Sequence, residues 1–191
     1  MVTSKHTRAD VVAAAGRLFA NKGYHGTSMR DLGKELGLLG SSLYAHVDSK
    51  EDLLVDVVAN GAVLFQASAD DALALGGSAR DRLDALIAGH VDVVLDNLDV
   101  ARTFLNEARM LNGRHRAQVI DARDAYEEAF RQIIRQGRRD GSFRRDVDPK
   151  TGSIFILSIL NAIERWYRPD GALSRNQLVA RLNAFALTGL S

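Results

Sequence analysis

The sequence contains no cysteine, which excludes a disulfide framework and a zinc site built from thiolates. Proline occurs only twice and aromatic residues make up 6% of the chain. No apolar run approaches the roughly 20 residues that cross a membrane. The N-terminus also lacks the long apolar stretch of a signal peptide. We therefore expect a protein of the reducing cytoplasm that has no membrane partner.

The 191 residues are 46% apolar, which suffices for the core of one ordinary domain or two small ones. The net charge is only +1, but it is unevenly distributed. Residues 1–50 hold seven Lys or Arg against four Asp or Glu, a net +3, and the remainder holds 18 against 20, a net −2. This excess of positive charge in the first quarter of the chain favours a nucleic-acid partner there.

The stretch from Thr27 to Lys50 has the pattern of two short helices joined by a glycine turn. Thr27 or Ser28 can cap a helix over residues 29–36, because their side-chain oxygens accept from free amides of the first turn. Its apolar positions recur on one face at the spacing of a helix; they are Met29, Leu32 and Leu36. Gly37 follows, where a left-handed conformation would stop the helix.

A second helix is predicted over residues 40–47, with Leu43 and Val47 facing inward. Its outward set is small, polar and aromatic, which suits close approach to a DNA duplex and bonds to phosphates or base edges. Lys50, which follows, can point to the phosphate backbone. The predicted DNA contacts are Thr27, Ser28, Met29, Gly40, Ser41, Ser42, Tyr44, His46 and Lys50.

This arrangement resembles the N-terminal domain of the TetR family of bacterial transcriptional regulators. The matching residues are Phe19, Gly23, Tyr24, Thr27, Ser28, Met29, Asp31, Leu32, Gly37, Ser42, Leu43, Tyr44, His46, Ser49, Lys50, Glu51, Asp52 and Leu53. The sequence departs from the usual pattern at Leu39, commonly serine, at Gly40, often Lys or Arg, and at Val47, usually Phe. The missing basic residue at Gly40 leaves base-specific contacts harder to assign.

Helical spacing of apolar residues continues along the whole chain, and no strand pattern or internal repeat occurs. We expect an all-α fold of about nine helices. Residues 1–48 are predicted to form a three-helix DNA-binding domain of the helix-turn-helix type, and residues 49–191 a ligand-binding and dimerisation domain. A first helix over residues 8–21 supports the other two, and Lys5 and Arg8 could reach phosphates. A long helix from Lys50 to about Leu75 connects the domains.

The last two helices are apolar on more than one face, which fits burial of one face within the domain and another against a second copy. Two copies would also let the reading helices occupy successive major grooves, roughly 34 Å apart. We therefore expect a homodimer formed through residues 150–189. The alternative is that both faces pack within one subunit.

The segment from Asn161 to Gly171, NAIERWYRPDG, resembles the ending of TetR regulators that respond to acyl-CoA thioesters, among them the repressors of steroid-ring catabolism. Arginine can hold the phosphates of coenzyme A and an aromatic ring can stack on adenine. Four arginines near the preceding loop could add phosphate contacts; they are Arg138, Arg139, Arg144 and Arg145. The predicted ligand contacts are Phe104, Glu107, Arg109, Met110, Tyr126, Phe130, Asn161, Arg165, Trp166 and Arg168.

The resemblance implies a repressor that binds a palindromic double-stranded operator and is released by a small-molecule effector. Other hypotheses stay open: a regulator that senses a different hydrophobic ligand, a helical interaction module, and a thioester-binding enzyme. His90 with Asp92, or His115 with Asp121, could serve an enzyme, but neither pair has the spacing of an HExxH metal site. We expect no catalytic residues, no metal and no cofactor.

Overall fold

The computed structural model describes residues 6–38 and 40–191, which form helices, turns and loops without a strand. The α-helices are α1 (Arg8–Lys22), α2 (Met29–Leu36), α3 (Gly40–Leu43), α4 (Lys50–Ala74), α5 (Ala79–Asp96), α6 (Leu98–Arg102), α7 (Gly113–Asp140), α8 (Pro149–Trp166) and α9 (Arg175–Leu190). The predicted all-α fold is confirmed.

These helices form two compact units. Unit 1 comprises Met1–Ala62 and Asp99–Ile120, and unit 2 comprises Val63–Leu98 and Asp121–Ser191. Unit 1 therefore contains α1 to α3, the first half of α4, α6 and the start of α7. The boundary at residue 48 that we predict between a DNA-binding and a regulatory domain stays a prediction about function.

In unit 1, side-chain caps fix where the first two helices begin. Thr7 opens α1 and Ser28 opens α2, each in a capping box completed by an aspartate three residues later. Gly37 ends α2 in the left-handed conformation, at φ 65° and ψ 28°. α1 packs against α2, and α2 packs against α3. These caps therefore set the directions of the short helices that carry the predicted DNA-binding motif, residues 27–50 (the reader).

The second helix of the reader is shorter than predicted. α3 ends at Leu43, and residues 44–46 form a turn in which the His46 N–H donates to the Leu43 carbonyl at 2.9 Å. Leu43 and Val47 are nevertheless both buried, as the apolar pattern predicts. Burial of these two side chains is thus compatible with a turn between them as well as with a helix.

The segment after α6 leaves regular α-helical geometry. A π-helical turn spans Thr103–Glu107 and a 3-10 turn spans Ala108–Met110. The sequence indicates a helical segment here but carries no signal for the wider turn. A π-turn adds a residue to the helical repeat, so it changes which side chains face a given neighbour.

In unit 2, α5 packs against both α8 and α9, and α8 packs against α9. Ser78 caps α5, Asp148 caps α8 with Pro149 at its first turn, and Ser174 caps α9. The core between them is aliphatic and aromatic, with fully buried residues that include Leu83, Leu86, Ile87, Phe130 and Ile133.

The connecting helix α4 is long and apolar enough to cross a membrane by length and composition alone. Five of its large apolar side chains are almost completely buried inside the protein, namely Leu53, Leu54, Val57, Val58 and Phe65, whereas Val63 is 67% exposed. Burial of one apolar side against the same chain is typical of a core helix. This packing explains the side of α4 that carries the five buried residues.

Candidate DNA interface and effector region

The predicted reader forms a helix-turn-helix in unit 1. The Ser28 hydroxyl accepts the Asp31 N–H at 3.1 Å, and the Asp31 carboxylate accepts the Ser28 N–H at 2.9 Å. These bonds lower the pKa of Asp31, because the Ser28 hydroxyl and amide both stabilise its ionised form. After Gly37 the Leu38 N–H returns to the Gly33 carbonyl at 2.8 Å, which closes the turn between the two helices.

The exposed side of this motif carries Ser42 and Tyr44, whose ring is 56% exposed. Ser28 is exposed, and Met29 and His46 are half-buried. Gly40 and Ser41 begin α3, but beyond their place in the helix they lie outside the described part of the chain. Leu39 and Lys5 lie outside it altogether. Hydroxyls and an aromatic ring at the start of a short helix are suited to phosphate and groove contacts.

Thr27 differs from the prediction that it contacts DNA. Its side chain is buried, and its hydroxyl donates to the Gly23 carbonyl at 3.0 Å and lies 3.2 Å from the Leu18 carbonyl. The hydroxyl ties the end of α1 to the loop before α2. Thr27 therefore has a structural role, because a hydroxyl buried with two protein acceptors is not available to a phosphate.

Lys50 is half-buried, and its ammonium group is bound to main-chain carbonyls of unit 1. Its ammonium group donates to the carbonyls of Tyr24, at 3.0 Å, and Thr27, at 2.9 Å, and lies 4.1 Å from the centre of the Tyr24 ring. Arg8 likewise pairs with Asp56 at 2.8 Å and donates to the His46 carbonyl at 2.7 Å. Both cations stabilise the motif through bonds within unit 1, and contact of either with a phosphate stays a prediction.

The predicted ligand contacts are divided between the two units. Phe104, Glu107, Arg109 and Met110 belong to unit 1, whereas Tyr126 and Phe130 belong to unit 2. The Glu107 carboxylate accepts the main-chain N–H of Tyr24 at 2.8 Å. Sequence reasoning missed this contact because the two residues are 83 positions apart and the π-turn that brings them together has no sequence signal.

In unit 2, Tyr126 and Phe130 lie in a buried aromatic cluster with Phe65 and His90, whose neighbouring ring centres are 5.0 to 5.9 Å apart. The Tyr126 hydroxyl is 3.1 Å from His90 Nδ1. Burial lowers the pKa of His90 to about 3 and raises the pKa of Tyr126 above its usual range. Both groups are therefore uncharged at neutral pH.

The end of α8 presents the residues of the predicted coenzyme A segment. Arg165 is exposed and pairs with Glu164 at 3.2 Å, and the Trp166 ring is 50% exposed. Arg168 is exposed and donates to the Tyr167 carbonyl at 3.0 Å. Asn161, one helical turn before Arg165, is half-buried. The segment thus offers two guanidinium groups and an indole ring at one helix end.

A cleft of about 490 Å³ lies between α8, α9 and the loop before α8. Its walls are mainly apolar and include Phe155 and Phe185, each 65% exposed. Arg144, at its rim, donates from its main chain to the Leu190 carbonyl at 2.7 Å and from its guanidinium to the Gly189 carbonyl at 3.3 Å. Arg144 therefore caps the C-terminus of α9, and its guanidinium also lies 3.5 Å from Asp146.

Of the histidine and aspartate pairs considered for an enzyme, His90 and Asp92 lie in different surroundings. His90 is buried, whereas Asp92 is exposed and pairs with Arg175 at 3.1 Å. His115 lies 3.8 Å from Glu51. In residues 6–38 and 40–191 no three His, Asp or Glu side chains are grouped as metal ligands would be.

Comparison with known proteins gives matches to both parts of the chain. Residues 11–57 match the family described as "Bacterial regulatory proteins, tetR family", and residues 76–190 match "Tetracyclin repressor-like, C-terminal domain". The HTH-type transcriptional repressor KstR2 of Rhodococcus jostii (strain RHA1) is 25% identical over 96% of this chain and 91% of its own.

Solved structures are similar over nearly the whole length. The TetR family transcriptional regulator PfmR from Thermus thermophilus is 31% identical, with a TM-score of 0.86 over 95% of this chain and 98% of PfmR. AibR in complex with isovaleryl coenzyme A and operator DNA is 25% identical, with a TM-score of 0.86 over 93% of this chain and 96% of AibR.

Proposed function

The chain belongs to the TetR family of bacterial regulatory proteins, and from this premise we propose that it is a cytoplasmic repressor that binds a palindromic operator as a homodimer. An acyl-CoA thioester releases it from DNA. The observation that carries the proposal is the capped α2–Gly37–α3 motif, which leaves Ser42 and Tyr44 exposed.

The DNA contacts proposed from this geometry are fewer than the sequence alone suggests. Ser42 and Tyr44 contact phosphates or groove edges directly, while Ser28 and Met29 lie at the start of α2, where main-chain amides can hold a phosphate. Thr27, Lys50 and Arg8 act indirectly, by fixing the backbone of the motif. Substitution of Ser42 or Tyr44 should therefore weaken DNA binding through loss of a contact. Substitution of a residue of the second group should weaken it through displacement of the backbone of the motif.

The homodimer is supported by apolar side chains left exposed on the last two helices. Three of the large exposed apolar residues lie on α8 and α9 away from the coenzyme A segment; they are Ile154, Phe155 and Phe185. A second copy related by a two-fold axis would present the same rings to the α8–α9 cleft, because an isologous interface pairs a surface with itself. The exposed rings of each copy would thus pack into the α8–α9 cleft of the other copy.

The acyl-CoA effector is supported by the end of α8 and by the relatives. Arg165 and Arg168 offer forked donors to the phosphates of coenzyme A, and Trp166 offers a face to adenine. AibR is a structural relative that binds isovaleryl coenzyme A. The proposal gives the protein no catalytic role, since release from DNA requires only that the thioester bind.

The experiment that tests the proposal is binding of the purified protein to labelled DNA from immediately upstream of its own gene. The titration is repeated with a panel of acyl-CoAs and with the matching free acids. Specific binding at a palindromic site, released by one thioester but not by its acid, is the expected result. Specific binding that no thioester affects would retain the regulator and reject the effector.

Tyr44→Ala provides the variant for the DNA contact, and Asn21→Ala is its control. Asn21 is exposed near the end of α1, where its amide donates to the Arg17 carbonyl at 2.8 Å within that helix. We expect Tyr44→Ala to weaken operator binding at least about tenfold, as loss of a phosphate contact and its aromatic packing would. Equal affinity of the two variants would contradict a reading role for Tyr44.

A further inference from the structure

The loop that joins α1 to α2 is held from two sides by oppositely charged side chains. The Glu107 carboxylate accepts the Tyr24 N–H at 2.8 Å. The Lys50 ammonium donates to the Tyr24 carbonyl at 3.0 Å and to the Thr27 carbonyl at 2.9 Å. Thr27 immediately precedes Ser28, the cap of α2. The carboxylate and the ammonium therefore fix the backbone from which the reading motif begins.

The π-helical turn explains why Glu107 can reach this loop. Thr103, at the start of the turn, is buried where the turn packs against α1; its hydroxyl donates to the Asp99 carbonyl at 2.8 Å and lies 3.4 Å from the Gly16 carbonyl of α1. Phe104 packs so closely on Gly61 of α4 that a methyl group added at Gly61 would lie 2.7 Å from the Phe104 Cβ. With these two residues seated on α1 and α4, the wider turn aims Glu107 at Tyr24.

We propose that Glu107 is a positioning residue for operator recognition, acting through the main-chain N–H of Tyr24 on the start of α2. The inference rests on the proposed function, because it assigns Glu107 a part in DNA binding without contact to DNA. It replaces the expectation that Glu107 lines a ligand pocket. The segment that carries Glu107 is bounded in sequence on both sides by unit 2, so the contact joins that segment to the reader.

In Glu107→Ala, loss of the negative charge and loss of the hydrogen bond to Tyr24 would change the affinity for the operator in opposite directions. Removing a negative charge from a DNA-binding protein strengthens its attraction to phosphates. Removing the acceptor that holds Tyr24 loosens the reading motif and weakens specific binding. An observed loss of affinity in Glu107→Ala therefore reports positioning, since the electrostatic effect alone would increase affinity.

The test compares four proteins by operator affinity, measured on the full chain without effector. Glu107→Ala is expected to bind the operator about tenfold more weakly, the range of a lost charge-assisted hydrogen bond. Glu107→Gln keeps an oxygen acceptor and should stay within about threefold of wild type. Glu51→Gln is the matched control, because it removes one negative charge beside Tyr24 but none of its bonds; it should bind no more weakly than wild type.

Two further readouts separate positioning from a general folding defect. Binding of Glu107→Ala to DNA of unrelated sequence should be unchanged or slightly tighter, since one negative charge is lost, so that the ratio of specific to non-specific affinity falls. Hydrogen exchange of the Tyr24 amide, measured without DNA, should be faster in Glu107→Ala and similar to wild type in Glu107→Gln. Because exchange requires no operator, failure of this inference can be distinguished from failure of the proposed DNA binding.

Unchanged or tighter operator binding by Glu107→Ala, with an unchanged exchange rate at Tyr24, would overturn the proposal. If Glu107→Ala does not fold, Glu107→Asp decides the question, because it keeps the charge but shortens the side chain by one methylene. Weaker specific binding by Glu107→Asp supports positioning. Operator affinity equal to that of wild type, with the Tyr24 amide equally protected, rejects it.

Discussion

The Tyr126 hydroxyl lies 3.1 Å from Nδ1 of His90 in the interior of unit 2. The rings of Phe65 and Phe130 pack beside this pair, and the main chain of Leu160 lies close to His90. The ring of His90 is completely buried, and burial lowers its pKa to about 3 because the apolar surroundings disfavour the imidazolium. A neutral histidine at the centre of the core makes the folded protein sensitive to acid.

The direction of this pH dependence follows from the pKa of His90 in the unfolded chain and in the folded protein. In the unfolded chain the ring protonates below about pH 6.5, whereas in the folded protein its pKa of about 3 keeps it neutral down to that pH. The unfolded state therefore binds more protons between these values, and the free energy of unfolding falls as the pH falls through them. Above about pH 6.5 the group contributes no pH dependence.

We predict that His90→Gln flattens the pH dependence of stability between about pH 6.5 and 4.5. The wild-type free energy of unfolding should fall by up to about 1.4 kcal/mol per pH unit more steeply than that of the variant. Urea unfolding at several pH values measures the difference. The carboxylates are common to both proteins, so their titration cancels; parallel pH profiles would show that His90 protonates in the folded state.

A second prediction concerns the turn between the two helices of the reader. Gly37 has a φ of 65° and ends α2, a conformation that costs a residue with a Cβ roughly 1 kcal/mol. Gly37→Ala should therefore lower the free energy of unfolding by about 1 kcal/mol in urea. Gly76→Ala is the control, since Gly76 has open space around it and no positive φ; an equal effect of both would contradict the conformational explanation.

The sequence predicts the helices and caps of the reader well because their causes are local. Ser28, Asp31 and Gly37 act on residues within four positions of themselves, and a pattern of that length is visible in the sequence. The end of α3 is predicted incorrectly, at residue 47 instead of Leu43. Both Leu43 and Val47 are buried either way, so the apolar pattern cannot distinguish a helix from a turn there.

Contacts between distant parts of the chain are where sequence reasoning fails. Lys50 follows the reader and matches the family pattern, but its ammonium is taken up by carbonyls 23 and 26 positions earlier. From their positions on the middle helices, Glu107 and Tyr126 are both predicted to contact the ligand. The structure shows that the Glu107 carboxylate accepts the main-chain N–H of Tyr24. Which partner a charged side chain meets depends on tertiary packing, and here the π-turn decides it.

A third prediction tests the coenzyme A contacts at the end of α8. Arg165→Ala and Trp166→Ala should each weaken binding of an acyl-CoA about tenfold or more, because a charge-assisted hydrogen bond to phosphate or a stacked ring is lost. Calorimetric titration with isovaleryl-CoA, free coenzyme A and isovalerate measures the effect. The loss should appear with both coenzyme A compounds, since these side chains are assigned to the nucleotide end.

Arg116→Ala is the control for this titration, as it removes an exposed arginine of α7 in unit 1. It should leave the affinity for isovaleryl-CoA unchanged. If Arg165→Ala and Trp166→Ala also bind the thioester as wild type does, the Arg165 guanidinium and the Trp166 indole do not contact it, and their exposure at the end of α8 needs another explanation.

The last prediction concerns the apolar rings on α8 and α9. Phe155→Asp and Phe185→Asp should each shift the protein from dimer to monomer, because each ring is 65% exposed in one chain and lines the cleft between the two helices. A central aromatic contact in an interface contributes about 2 kcal/mol or more, which raises the dimer dissociation constant roughly 30-fold. Ile120→Asp is the control, since Ile120 is 48% exposed on α7.

Sedimentation velocity at several protein concentrations measures the shift, and circular dichroism checks that each variant is folded. The monomeric variants should also bind the operator more weakly, because two linked readers bind with a higher effective concentration than separate ones. Variants that stay dimeric would place the interface elsewhere, and the cleft would then be free for a different occupant. A monomeric Ile120→Asp would instead show that α7 belongs to the interface, since its substitution leaves the α8–α9 surface intact.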